Sequence, residues 1–101
     1  MVKRLIWTEK ALLTRKEILE YWNEATGNKD YSVKLDSKIE EITNLLLLFP
    51  ELGKRISNFD GRFILEGDYS VVYKIEKGDT YWDVKILQVW DTRRDPDKLK
   101  I

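Results

Sequence analysis

The clearest periodicity in the chain runs through residues 31–53, which read YSVKLDSKIEEITNLLLLFPELG. Apolar side chains recur there at intervals of four, four, three, four and three residues: Tyr31, Leu35, Ile39, Ile42, Leu46 and Phe49. This spacing is typical of an amphipathic helix that turns one face toward a core. Pro50 and Gly53 favour neither the interior nor the continuation of a helix, so the pattern predicts that the helix ends there.

A second helical pattern precedes this stretch. Apolar residues recur from Glu9 onward until Gly27, a helix stop signal: Ala11, Leu12, Ile18, Leu19, Trp22 and Ala25. Thr8 has the side chain of a helix N-cap, and the β-rich run Val2–Trp7 before it predicts a first strand. Because only a short link separates the two helices, they are expected to pack as an antiparallel hairpin.

Beyond Pro50 the pattern changes from helical to β-type. Three β-rich runs at 62–66, 69–76 and 81–90 are separated by two turn signals that contain glycine. They predict a three-stranded antiparallel meander. In the last run, alternation places Trp90 on the same face as Trp82, Val84 and Ile86, and Val89 on the other.

The predicted order is therefore β-α-α-β-β-β. It belongs to the α+β class, with an antiparallel sheet packed against a helical hairpin. A chain of 101 residues with 43% hydrophobic and 36% charged positions has room for one core, so we expect a single domain over residues 1–101.

Composition restricts the possible chemistry. The chain has no Cys and no His, which excludes disulfides, thiolate or imidazole metal sites, and catalysis by a Cys or Ser-His pair. We expect no cofactor and no metal site. Eighteen basic residues balance eighteen acidic ones, so nonspecific affinity for nucleic acid is not favoured. The early charges in MVKRLIWTEKALL and the short apolar run Leu45–Phe49 argue against a signal peptide or a membrane span and for the cytoplasm.

Four strings in this order resemble the RelE/ParE superfamily of bacterial toxins from type II toxin-antitoxin modules. They are IWTEKA at 6–11, LFPELG at 48–53, YSVVYKI at 69–75 and ILQVWDTRRDP at 86–96. The resemblance covers nearly the whole chain. It implies a growth-inhibiting toxin of a plasmid-stabilisation type system, held inactive by a cognate antitoxin, with operator DNA contacted only indirectly through that antitoxin.

The resemblance leaves two targets open. RelE-like members are ribosome-dependent mRNA endonucleases, whereas ParE-like members bind DNA gyrase. RelE-like nucleases carry an arginine in the middle strand, where this chain has Ser70, and a Tyr or His in the C-terminal tail, where it has Lys98 or Leu99. Only the basic pair Arg93 and Arg94 matches, so the resemblance favours the gyrase-type toxin, with an inactive or purely binding homologue as a further alternative.

Should the chain be a metal-independent ribonuclease, its catalytic residues would have to bind phosphate or transfer a proton. The weak candidates for these roles are Arg62, Tyr69, Arg93, Arg94 and Lys98. Should the chain act by binding a protein instead, we expect Trp90, Arg93 and Arg94 to form a contact patch for the target or the antitoxin. The run of four leucines at 45–48 exceeds what one helix face buries, so Leu47 and Leu48 are candidate antitoxin contacts. The simpler interpretations are a solvated ion-pair cluster for the arginines and core packing for the leucines.

Overall fold

Two helices cover one face of a five-stranded sheet in the computed structural model, which describes residues 2–93. In chain order the elements are β1 (Val2–Trp7), α1 (Glu9–Thr26), α2 (Asp30–Leu48), β2 (Lys54–Arg55), β3 (Arg62–Glu66), β4 (Tyr69–Lys77) and β5 (Tyr81–Asp91). Within this part of the chain, neither helix has the length and apolar character needed to cross a membrane. The predicted α+β class and the order of the main elements are confirmed.

The sheet is mixed, with strand order β1-β5-β4-β3-β2. The predicted antiparallel meander corresponds to β3, β4 and β5, and β2 adds a further antiparallel pair with β3. The sheet is not wholly antiparallel as expected, because β1 runs parallel to β5. A parallel pair requires a long crossover, which here includes both helices and the rest of the sheet. The extra strand β2 has two residues, too few to show an alternation in the sequence.

The helices begin and end where the cap residues indicate. The Thr8 hydroxyl accepts a hydrogen bond from the Ala11 amide at 3.1 Å, and Gly27 closes α1 in the left-handed conformation with φ 74°. Arg15 joins the two helices, since it donates to Asp36 at 2.6 Å and to Glu40 at 2.8 Å. The predicted antiparallel hairpin is thus held by a shared cation as well as by apolar contact.

The core lies between the helices and the central strands. Its fully buried side chains come from α1, α2, β4 and β5: Ala11, Leu46, Val71, Tyr73, Val84 and Ile86. A second cluster nearer the other end of the helices contains Leu35, Ile39, Tyr69 and Val89. The α2 stripe is therefore buried in its middle, whereas its two predicted ends, Tyr31 and Phe49, are 44% and 58% exposed.

A β-bulge in β5 changes which side chains face the helices. Tyr73 of β4 pairs with Ile86 and Val72 pairs with Gln88, so Leu87 is the additional residue. One inserted residue reverses the alternation of everything that follows it. Val89 consequently joins the core under the helices, and the expectation that Trp90 shares the face of Val84 and Ile86 is wrong.

Tyr73 anchors the loop that follows α2. Its buried hydroxyl donates to the Pro50 carbonyl at 2.7 Å and accepts from the Gly53 amide at 2.8 Å. A Cβ atom at position 53 would lie 2.6 Å from the same hydroxyl, so only glycine leaves room for it. The hydroxyl thus satisfies two backbone groups that water cannot reach.

We predict that Tyr73→Phe destabilises the protein by about 1–3 kcal/mol, because it leaves a buried amide and a buried carbonyl without partners. Urea unfolding followed by circular dichroism measures the change in the free energy of unfolding. Tyr21→Phe, which removes a hydroxyl from a tyrosine that is 58% exposed, is the matched control and should stay within about 0.5 kcal/mol of the parent. Equal stability of the two variants would contradict the anchoring role.

Candidate functional site

A cleft opens at the edge of the sheet where β1 ends and β5 continues. β1 pairs with β5 only as far as Ile86, and α1 lies beside the rest of the strand. There the Val89 amide donates to the Thr14 hydroxyl at 3.1 Å, a side-chain contact in place of a strand partner. The cleft has a volume of about 370 Å³ and lies between Thr14, Glu17, Ile18 and Tyr21 of α1 and the β5 end with Tyr69, Gln88, Val89, Trp90, Asp91 and Arg93.

Arg93 is the cation of this cleft. It binds Asp91 through two hydrogen bonds of 2.9 and 2.8 Å, and its guanidinium lies 3.9 Å from the Asp68 carboxylate. The hydrogen bond to Asp91 raises the pKa of Arg93. Its side chain is still 50% exposed. Arg93 is therefore ion-paired, and half of its side chain remains accessible to a partner.

Tyr69 forms the floor of the cleft and is held in place by Trp22. The Trp22 indole N–H donates to the Tyr69 hydroxyl at 2.5 Å, and Tyr69 is only 3% exposed. Burial raises the pKa of Tyr69, and the hydrogen bond from Trp22 opposes this only in part. A phenol that is buried, neutral and already hydrogen-bonded is poorly suited to take a proton from a substrate.

Trp22 also connects the cleft to both helices. The Tyr31 ring of α2 lies 4.6 Å from it, and the Arg93 guanidinium lies 6.0 Å from its ring centroid. Sequence reasoning placed Trp22 in the core and did not connect it with Tyr69 or Arg93. The helical period places Trp22 and Tyr31 on inward-facing stripes, but no pattern in the sequence indicates which strand they meet.

Trp90 is not the exposed anchor that the sequence suggested, because it is only 8% exposed. The β5 bulge places it opposite Ser70, on the sheet face away from the helices. Ser70, which stands where RelE-like nucleases have their arginine, is itself 6% exposed. Both positions are therefore poorly accessible from solution.

The remaining candidates do not gather at the cleft. Arg62 lies at the end of β3 remote from Tyr69 and donates to the Glu51 and Gly53 carbonyls at 3.1 and 2.9 Å, which gives it a structural role. Leu47 is half-buried, whereas Leu48 is 67% exposed on α2. Arg94 and Lys98 lie outside the described residues. The structure thus brings Tyr69 and Arg93 together at the cleft, places the Trp90 side chain on the other face of the sheet, and separates all three from Arg62.

In chemical terms the cleft combines the half-exposed Arg93 cation with the aromatic residues Tyr21 and Tyr69 in its lining. Among residues 2–93, no three carboxylates gather in a way that could hold a metal ion. Glu17 and Asp91 line the cleft together with Arg93, so its lining carries both signs of charge. Such a surface suits the polar and aromatic contacts of a protein interface.

Comparisons with known proteins agree with this fold. A family model described as the ParE toxin of the type II toxin-antitoxin system, parDE, matches residues 5–96. A solved structure of the chromosomal ParDE TA system from P. aeruginosa is similar with a TM-score of 0.72 and 22% sequence identity, over 87% of this chain and 94% of that one. No curated protein matches the chain in sequence.

We predict that the protein loses stability above about pH 10 and that Tyr69 contributes to the loss. Burial raises the pKa of Tyr69 and of Tyr73, so the unfolded chain releases these protons first as the pH rises. The free energy of unfolding should therefore fall with pH in this range. Urea unfolding at pH values from about 8 to about 11, on either side of the ordinary pKa of tyrosine, should give a shallower fall for Tyr69→Phe than for the parent. Parallel curves for Tyr69→Phe and the parent would argue against a buried, neutral Tyr69.

Proposed function

Because the chain belongs to the ParE toxin family of type II toxin-antitoxin systems, we propose that it arrests growth by binding DNA gyrase, and that it does not cut RNA. The observation that supports this proposal is the burial and hydrogen bonding of the residues that a ribonuclease would need for catalysis. Tyr69 is 3% exposed and bonded to Trp22, and Arg62 is occupied with two backbone carbonyls. These residues serve the fold, which leaves the accessible Arg93 for contact with a protein.

Cleavage of RNA by its own 2′-hydroxyl requires one group to accept a proton, another to donate one, and cations on the phosphate. The chain has no His, and the two tyrosines of β4, Tyr69 and Tyr73, both have a raised pKa because they are buried. Arg62 pairs with Tyr73 in the middle of β4, whereas Arg93 lies beyond the end of the strand at Tyr69, so the two arginines are too far apart to hold one phosphate together. A binding mode of inhibition requires none of these groups.

We further propose that a cognate antitoxin neutralises the protein in the cytoplasm by occupying the cleft beside α1. The similar solved structure is that of a toxin-antitoxin system, which makes a partner of this kind the first to test. An acidic side chain of the antitoxin would meet Arg93, whose guanidinium is half exposed. Operator DNA would then be contacted through the antitoxin alone, in agreement with the neutral charge of this chain.

Induction of the chain alone in a bacterial host should reduce DNA synthesis before protein synthesis. Gyrase poisoning stops replication forks directly, whereas mRNA cleavage stops translation first. Pulse-labelling with thymidine and methionine in parallel cultures measures the two rates. The purified chain should also inhibit supercoiling by gyrase in vitro.

The opposite order would contradict gyrase as the target. A prior fall in protein synthesis together with transcripts that end in a 2′,3′-cyclic phosphate would show a ribonuclease. Cells that carry the same vector with a frameshifted reading frame are the control, since they bear the same induction load without the protein.

Replacing Arg93 and Arg94 together by Ala should abolish growth arrest while leaving the fold intact. Arg93 is half exposed, and within the described residues its ion-pair partners are the carboxylates of Asp91 and Asp68, so its removal should leave the thermal unfolding midpoint close to that of the parent. Lys16→Ala with Lys34→Ala removes the same charge from exposed helix positions and should leave toxicity unchanged. Colony counts after induction, with thermal unfolding of each purified variant, make the comparison. Full toxicity of the arginine variant would remove this end of the sheet from the target interface.

A further inference from the structure

Two pairs of cations lie directly opposite each other on neighbouring strands. Lys74 of β4 pairs with Lys85 of β5, and Arg55 of β2 pairs with Arg62 of β3. Residues paired in this way have their side chains on the same face of the sheet, so the two like charges repel each other. An anion between the two cations removes this repulsion.

The lysine pair has such an anion, and the arginine pair does not. The Glu76 carboxylate lies 2.5 Å from the Lys85 ammonium and 3.7 Å from the Lys74 ammonium. In the part of the chain that the structure describes, neither Arg55 nor Arg62 forms an ion pair. The arginine pair therefore lacks the counter-ion that Glu76 provides for the lysines.

Arg62 presents one fixed and unoccupied edge of its guanidinium. Its Nη1 donates to the Glu51 and Gly53 carbonyls at 3.1 and 2.9 Å, which holds the group in place. Among residues 2–93, its Nε and Nη2 atoms have no hydrogen-bond partner. Arg4 uses the same two atoms to bind Asp83, at 2.8 and 3.1 Å. This edge is the one that binds an oxyanion through two parallel hydrogen bonds.

A small cavity is lined by both arginines. Its volume of about 140 Å³ is well below the roughly 300 Å³ at which pockets for drug-sized ligands begin. The charged residues of its lining are Glu51, Arg55, Asp60, Arg62 and Lys77. Three cations thus meet two carboxylates, and Glu51 is already paired with Lys77 at 3.2 Å. A lining with this size and charge suits one small anion.

We propose that this cavity binds one phosphate group, as inorganic phosphate or as the terminal phosphate of a phosphomonoester. The anion lies between Arg55 and the Nε–Nη2 edge of Arg62, and it takes the part that Glu76 takes between the two lysines. Binding orders the Arg55 side chain, which has no contact of its own in the described residues. The Arg62 guanidinium is already held in place by the loop, so little ordering is needed there.

This phosphate site is distinct from both sites discussed above. Arg62 pairs with the core residue Tyr73 and so lies on the sheet face that the helices cover, whereas Ser70 lies on the opposite face. The site thus differs from the position at which RelE-like nucleases carry their arginine. A phosphate bound here also leaves the cleft of Arg93 open, so the inference does not depend on the proposed function.

Nuclear magnetic resonance of the purified chain, titrated with sodium phosphate at constant ionic strength near neutral pH, tests the proposal. We expect the Nε–H signals of Arg55 and Arg62 to shift and to saturate, with a dissociation constant on the order of 1 mM. Glycerol 3-phosphate in a parallel titration distinguishes the two sources of phosphate. Tighter binding than inorganic phosphate identifies a phosphomonoester as the ligand, and weaker binding identifies the free ion.

Four variants test the position of the site. Arg55→Gln removes a cation without touching the fold and should weaken binding at least about fivefold. Asp60→Asn removes a carboxylate that repels the anion and should tighten binding. The controls are Lys34→Gln and Asp79→Asn, which change the same charges at exposed positions elsewhere and should leave the dissociation constant unchanged.

Shifts that rise linearly without saturation up to about 50 mM phosphate would overturn the proposal, because they indicate a general salt effect. An Arg55→Gln variant that binds phosphate as tightly as the parent would also overturn it. Thermal unfolding gives a second measurement. Phosphate should raise the unfolding midpoint of the parent relative to chloride of equal ionic strength, and by less for Arg55→Gln. Equal increases would place the effect outside the cavity.

Discussion

The parallel pairing of the first strand with the last determines where the candidate site lies. β1 pairs with β5 from Tyr81 to Ile86 and stops at Trp7, because Thr8 both ends the strand and begins the helix. The Thr8 amide and hydroxyl bond to the Ile86 carbonyl at 3.1 and 3.0 Å, and the same hydroxyl caps α1. The chain therefore turns from strand to helix halfway along β5. The second half of β5 therefore lies beside α1 and not beside another strand. A helix and a strand pack less closely than two hydrogen-bonded strands, and the cleft is the space left between them.

The bulge at Leu87 lies at the same junction, and it limits what the sequence alone could predict about β5. Up to Ile86 the alternation in β5 correctly predicts Val84 and Ile86 as core residues. Beyond it the alternation inverts, because one inserted residue shifts every later side chain to the opposite face. The residues around 87 contain no Gly or Pro that would mark the irregularity. The strands other than β2, both helices, the caps of α1 and the class were predictable from local patterns, whereas the faces of Val89 and Trp90 depended on a pairing between distant strands.

The site was predictable in part for a similar reason. Arg93 could be found because it follows a strand end and is surrounded by acidic residues within its own segment, which a sequence displays directly. Tyr69 could be named but its role could not, since its partner Trp22 is 47 residues away in the chain. Arg62 looked like Arg93 in sequence, yet its guanidinium binds the loop after α2. Arg62 and Arg93, both candidates from the sequence, thus differ in role because of contacts that exist only in the folded chain.

Two buried tyrosines of β4 support the fold through hydrogen bonds of their hydroxyl groups. This structural role restricts the proton-transfer chemistry that they can perform. Tyr69 and Tyr73 lie four residues apart on β4 and both point toward the helices, one bonded to Trp22 and the other to the loop at Pro50 and Gly53. Each phenol is stabilised in its neutral form by burial, so each contributes to stability only while it keeps its proton. Because both phenols of this strand are buried and hydrogen-bonded, neither is suited to proton transfer. Arg93, which is ion-paired and lies beside the cleft, remains accessible. An accessible arginine next to a cleft is suited to recognition of another macromolecule.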